Sequence, residues 1–493
     1  MAGRGKRIGV AFAVVVLVLV AILLGRTLMF RSVQIEAPPP APTVEAGPVA
    51  RRLSAAVQFA TVSGPHGNGA EPFLALHAWL QTTYPRFHAV AEREVIGERS
   101  LLYTWKGSDA SRPPVLFLAH MDVVPVEAGT ESAWTKPPFS GAIVPCGDLP
   151  GDCVWGRGTL DMKAGLIGLL EAAEALAASG EAPARTLVFA FGADEEVGGK
   201  EGAVRIAAVL KSRGLRFEWA IDEGLVITDG IVPGAPRPVA LIGIAEKGYV
   251  SLSLTAHGEG GHSSMPPPMT AVGRISRAVA RLEADPFPAD IDGAVATMLD
   301  RIGPEMPFGM RLGLSNRWLL GGLITSQFTH SNQTNATLRT TQAATVFHAG
   351  EQDNVLPQQA RAVINYRIHP RDSVARVIER VTRVIDDPEV QIEALPNASE
   401  PSPLASVDGP GYRLIERAIR AAAPEAIVAP GLMVGATDTR HYLDLVDAVY
   451  RFNPLHVRPG DGERFHGTNE RVVAADLAVG VSFYLDLVRA AAR

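Results

Sequence analysis

Two histidines and a set of carboxylates stand where this chain could gather metal donors. His120 closes the run VLFLAH, and Asp161 follows the glycine-rich WGRGTL. Glu195 and Glu196 follow RTLVFAFGAD, Asp222 follows WAI, and His466 lies in FHGTNE. A two-metal hydrolytic site needs nitrogen and oxygen donors around two cations about 3.5–4 Å apart, with a shared carboxylate and a polarised water. Asp161 suits the bridge, because a short carboxylate can give one oxygen to each ion. Glu195 and Glu196 are adjacent and point to different sides, so one can bind metal while the other faces the water. Two His and three carboxylates suit zinc, with cobalt or manganese as substitutes. Asp122, two residues after His120, can accept the imidazole's other N–H and fix its tautomer. Singly each residue is weak evidence, since an Asp at a strand end is more often a helix cap. Their convergence on one edge carries the reading.

The elements that position them follow from hydrophobic pattern. Leu101–Trp105, Val115–Ala119, Arg185–Gly192 and Trp219–Ile221 read as strands, the longer ones continuously apolar as in a buried parallel sheet. Between them, the segment after Asp161 up to Gly180 and residues 202–213 read as helices. Strands alternating with helices predict an α/β domain with a mostly parallel sheet covered on both faces, and ligands bind outside the carboxyl ends of such strands. Near Glu246 the pattern changes to the apolar–polar alternation of KGYVSLSLTAHG, a half-exposed antiparallel strand. Residues 247–398 are therefore expected to form an inserted α+β domain, with a hinge near Glu246 and Leu395. Within it, 269–283 and 373–385 read as helices, 335–341, 359–369 and 390–395 as strands, and 285–332 as irregular. The catalytic domain is then 50–246 plus 399–493, closing with a terminal helix from Val472.

At 493 residues, 47% hydrophobic and 20% charged, the chain has the size of two domains and an ordinary globular composition. A net charge of -6, with no basic cluster beyond the first residues, argues against a nucleic-acid partner. Arg4, Lys6 and Arg7 precede an uncharged apolar run from Ile8 to Leu24. Residues 1–31 are expected to be a single-pass anchor with the catalytic part outside the cytoplasm. A cleaved signal peptide is the alternative, and no small-x-small site follows the run. Residues 32–49 are Pro- and Ala-rich and read as an extended spacer lifting the globular part off the membrane. Cys146 and Cys153 flank GDLPGD and are expected to pair in an oxidising compartment, two unrelated loop thiols being the alternative.

The segments AHMDVVP, WGRGTLDMK, GADEEVGG, IDEG, GGHSSMPP, NVLPQQARA, GATDTRHY and FHGTNE, in that order, resemble the two-zinc metallopeptidase family of carboxypeptidases, aminoacylases and desuccinylases. The similarity is greatest to its carboxypeptidase S and N-fatty-acyl-amino-acid synthase/hydrolase branch. The resemblance implies a zinc-peptidase-like three-layer catalytic domain and an inserted α+β lid or dimerisation domain. It implies that His120, Asp161 and Asp222 hold one zinc, that Glu196 and His466 complete the other across Asp161, and that Glu195 is the general base. His262 would stabilise the oxyanion, in some relatives from across a homodimer, while Asn335 and Arg440 would grip the substrate, Arg440 by its carboxylate. A cis peptide after the bridging residue, Asp161–Met162, is also implied. The activity expected is hydrolysis of amide bonds, either in short peptides with a free carboxylate or in N-acyl amino acids. A catalytically silent anchored binding protein is the rival from another class, and a serine hydrolase lacks its G-x-S-x-G elbow.

Overall fold

A computed structural model describes residues 2–65 and 67–493, without the side chains of residues 2–6, so Arg4 and Lys6 of the basic flank lie outside the described side chains. The core is an eight-stranded sheet in the order Glu92–Ile96, Ser100–Trp105, Leu187–Gly192, Val115–His120, Trp219–Thr228, Val449–Val457, Val239–Glu246 and Ile427–Met433. The four central strands, Leu187–Gly192 to Val449–Val457, run parallel. All six residues of VLFLAH and of LVFAFG are buried, which is why these runs carry no alternation. Their register pairs His120 with Gly192, so both strands deliver their following residues to the same edge.

Helices Lys163–Ser179 and Ala474–Ala491 pack against one face and share its large apolar core. Helix Ala203–Ser212 closes the other face with Leu102, Leu116 and Val188. The Lys163–Ser179 helix stops at Gly180, whose φ of 74° is the left-handed conformation that ends helices without a Cβ clash. Cys146 and Cys153 are joined in a disulfide, S–S 2.05 Å, across the hairpin Ala142–Pro145 and Asp152–Trp155.

The insertion has its own antiparallel sheet, in the order Thr341–Ala349, Gln359–Ile368, Gly248–His257 and Val390–Ala394. Its apolar side is covered by helices Ala271–Ala284 and Val374–Ile385 around a separate core. Two expectations change here. Residues 335–341 do not form a strand: Asn332–Leu338 is helical, and the strand starts at Thr341. Residues 285–332 are not irregular either, because they contain helices Gly293–Ile302, Phe308–Ser315 and Arg317–Thr329. The first of these buries Val295, Leu299 and Ile302 against Val239, Ile427 and Ala429 of the eight-stranded sheet. This part of the insertion therefore leaves the small sheet and packs on the catalytic body.

The amino-terminal helix, Ala2–Met29, contains one stretch, Arg7–Met29, long and apolar enough to cross a membrane. Its end is docked on the body. Thr27 is buried and lies 3.0 Å from the Ser315 hydroxyl, and Asn316 Nδ2 donates to the Leu23 carbonyl at 3.2 Å. The Pro-rich stretch that follows is not a free spacer. Gln34 exchanges hydrogen bonds of 2.9 and 2.8 Å with the main chain of Val428, and Ala41 N–H donates to the Ala421 carbonyl. The Gln34 side-chain amide thus satisfies main-chain groups that the outermost strand of the sheet, Ile427–Met433, would leave unpaired, while Ala41 is tied to the end of the helix Pro410–Ala422.

Candidate metal centre

Five segments bring donors to one edge of the eight-stranded sheet. His120 ends its strand with its ring buried; Nδ1 lies 3.0 Å from the Asp122 carbonyl and 3.4 Å from the Asp122 carboxylate. That orientation turns Nε2 toward Asp161 Oδ1 at 3.0 Å and Glu223 Oε1 at 3.3 Å. The other oxygen of Asp161 lies 3.0 Å from His466 Nε2, which is also 3.1 Å from Glu196 Oε2. Two three-donor groups result, His120–Asp161–Glu223 and Asp161–Glu196–His466, sharing Asp161.

The carboxylate beside His120 and Asp161 is therefore that of Glu223, not the expected Asp222. Both lie in the strand Trp219–Thr228, where successive side chains face opposite sides. One residue of register decides which reaches the edge cluster. Asp222 is buried, accepts the Glu223 N–H at 2.9 Å, and is raised to about 6 by burial, with His120 and Arg451 opposing. The segment IDEG offers two adjacent carboxylates, and its parity is not legible without the strand's pairing.

Asp122 has a second task. Its carboxylate oxygens accept the main-chain N–H groups of Glu195 at 3.1 Å and Glu196 at 3.2 Å. It therefore fixes the turn that presents those residues. Asp194 closes the same turn by accepting from Glu201 and Gly202 N–H, both at 2.8 Å. Gly199 is required here on two counts: φ is +70°, and a Cβ would meet Asp438 Oδ1 at 2.5 Å. Burial raises Glu195 well above the usual carboxylate range, with His120 opposing and Asp438 and Glu223 adding to the rise.

Glu470, the last residue of FHGTNE, is the positioning group that pattern reading missed. Fully buried, it accepts from Arg157 Nη1 at 2.9 Å and from the N–H groups of Gly158, Leu160 and Asp161 at 2.9, 2.7 and 3.2 Å. One carboxylate thus shapes the whole turn that ends at Asp161, whose peptide bond to Met162 is cis. Glu470→Ala is expected to cost about 3–5 kcal/mol in denaturant unfolding, because Arg157 would be left buried and unpaired. A loss below about 1 kcal/mol would remove this role.

The remaining expected residues are distributed differently. Arg440 Nε donates to His441 Nε2 at 3.1 Å, and His441 Nε2 is 3.1 Å from the Gly198 carbonyl, so Arg440 belongs to the rim of the Glu195 turn. Its loop is held from behind by Glu246, which accepts from Thr437 Oγ1 at 2.7 Å and Arg451 Nε at 2.8 Å. Asn335 sits half-buried in the helix Asn332–Leu338. His262 is exposed in the short ladder Gly261–His262, hydrogen-bonded to Ser264, and is not in contact with the donor cluster.

The donor set fits divalent cations. Donor atoms about 2.0–2.1 Å from one tetrahedral ion lie roughly 3.3 Å apart, close to the separations above. The carboxylates of Asp161 and Glu196 hold a proton on His466 up to about 10, so the cluster's field favours positive charge. Glu196 Oε1 is buried and has no hydrogen-bond partner among the described residues.

A mostly parallel sheet with a His–carboxylate cluster at its edge, and an inserted antiparallel domain, define a metallohydrolase of the zinc-peptidase type. Residues 116–490 match the model of peptidase family M20/M25/M40, and the chain belongs to that family. It is 37% identical over 447 residues to probable carboxypeptidase S-like 2 of Dictyostelium discoideum, covering 90% of this chain and 84% of that protein. It is 38% identical over 443 residues to an N-fatty-acyl-amino acid synthase/hydrolase of Danio rerio, covering 88% and 84%. The crystal structure of an M20 family metallo-carboxypeptidase from Sulfolobus solfataricus superposes with a TM-score of 0.63 at 17% identity, over 90% of this chain and 99% of that one. The chain is accordingly a metal-dependent peptidase or amidohydrolase.

Proposed function

We propose that the protein hydrolyses an amide bond whose amine side is an amino acid with a free carboxylate. The observation that carries this is Asp161 shared between His120 with Glu223 and His466 with Glu196, each group spaced for one cation. Zinc, two ions per chain, suits these donors, with cobalt or manganese as substitutes. Bound there, the metal pair supplies Lewis acidity toward water and the amide carbonyl. Glu195 takes the proton of the attacking water and delivers it to the departing amine nitrogen. Arg440 makes a hydrogen bond through Nε and has its outer guanidinium available for the substrate carboxylate. His262, exposed on the insertion, meets the carbonyl oxygen by domain closure or from a second copy of the chain.

Peptides are the first reading and N-acyl amino acids, fatty-acyl ones included, the second. Relatives named for each activity are similarly close, and both substrates share the amino-acid carboxylate. We further propose that the amino-terminal helix is an uncleaved anchor that leaves the catalytic body outside the cytoplasm. Burial of Thr27 against Ser315 and Asn316 supports this, since cleavage would expose that seam.

Chelation should abolish hydrolysis and zinc restore it, measured on dipeptides and N-acyl amino acids side by side with their carboxyl-amidated counterparts. Amidated substrates should be poor in both series. Equal rates on free and amidated forms would refute the carboxylate requirement, and the faster series identifies the acyl side.

A further inference from the structure

The helix Arg317–Thr329 buries none of its side chains completely. Its exposed positions, Trp318, Leu319, Gly322, Leu323, Ser326 and Gln327, fall at helical spacing and form one stripe without a charge. The first half of the stripe is apolar, with Trp318 56% exposed, Leu319 47% and Leu323 70%. The second half is polar. The one basic residue of the helix, Arg317, is paired with Asp300 at 2.5 Å.

This stripe begins where the amino-terminal helix ends. Thr27 meets Ser315, Asn316 donates to the Leu23 carbonyl, and Arg26 Nε donates to the Ser315 carbonyl at 3.2 Å. Arg26, Met29, Phe30 and Trp318 line one shared hollow. The uncharged run of the anchor closes at Leu24, so the Thr27 seam lies about 5 Å beyond it at 1.5 Å per residue. Interfacial helices sit with their apolar face about 5–10 Å into the headgroup boundary, so this depth suits one. The neighbouring helix adds exposed Phe308 on the same part of the chain.

We propose that the Arg317–Thr329 helix is a membrane-docking foot. Its Trp318–Leu323 face lies in the headgroup boundary of the bilayer that the amino-terminal helix crosses, while its Ser326–Gln327 end leaves the lipid. The inference rests on the anchor reading above. The occupant is lipid rather than a second chain because the apolar half of the stripe adjoins the anchor's exit and fades to polar along the helix. Trp at the start of such a stripe has the amphipathic ring favoured at membrane boundaries.

The test uses the full chain reconstituted in phosphatidylcholine vesicles with brominated acyl chains, which quench nearby indoles. Subtracting a Trp318→Phe variant isolates Trp318, and Leu17→Trp reports on the anchor itself. Trp318 emission should fall by about half or more relative to unbrominated vesicles, and Leu319→Glu with Leu323→Glu should restore it without changing hydrolysis. Quenching at Leu17→Trp with none at Trp318 overturns the docking proposal and leaves the anchor intact. No quenching at either position defeats both. Trp318 shielded from lipid but buried by self-association, seen as a dimer that Leu323→Glu dissolves, also overturns it.

Discussion

Glu195→Gln is expected to retain the metal content of the wild-type chain and to lose turnover by about 10²–10⁴-fold. Gln preserves the shape and the main-chain bond that ties residue 195 to Asp122 Oδ1 at 3.1 Å. It cannot accept and return a proton. Glu195 belongs to neither three-donor group, so its loss leaves both intact. Metal content by mass spectrometry and kcat on one substrate check the two halves separately. Near wild-type turnover would take Glu195 out of the chemistry, while loss of metal with loss of rate would make it a structural support of the Glu196 turn.

The second large effect separates adjacent carboxylates. Glu223→Gln is expected to lower metal content and to cut activity on the order of 10³-fold, since a bound cation contributes several kcal/mol to the transition state. Asp222→Asn should keep its metal and stay within about tenfold of wild-type activity, because an amide oxygen can still accept the Glu223 N–H. The opposite ranking would return Asp222 to the ligand position that the resemblance assigned it.

The alternation behind that pair also marks how much could be read without coordinates. His120, Asp161, Glu196 and His466 were legible because each closes an apolar run or stands in a loop beyond one. Such placement survives an error of one or two residues. Choosing between Asp222 and Glu223 does not, since strand parity is set by pairing with Val115–His120 and Val449–Val457. The strand Val449–Val457 was itself missed: Arg451, Asn453 and Pro454 interrupt its apolar pattern, yet they are buried within the sheet. Arg451 is tolerated there by its bond to Glu246. Glu470 escaped notice for a related reason, since its partners, the Arg157 guanidinium and three main-chain N–H groups, come from a segment about three hundred residues away. Helices in 285–332 were hidden by Gly and Pro, and by an apolar face that matches the edge of the large sheet rather than the small one.

The path of that last segment bears on how the insertion can move. A domain inserted by one excursion is joined to its host by two chain crossings and can swing like a door. Here the chain passes between the two cores four times: after Glu246, between Phe287 and Val295, after Leu338, and before Ser402. Arg371 stitches two of these crossings together by donating to Asp292 at 2.6 Å, to the Pro288 carbonyl at 3.0 Å and to the Leu338 carbonyl. A swing about Glu246 and Leu395 alone would have to shear that stitch. Any closure that carries His262 inward has to move all four crossings together, while residues 311–316, which clasp the end of the amino-terminal helix, stay with the catalytic body.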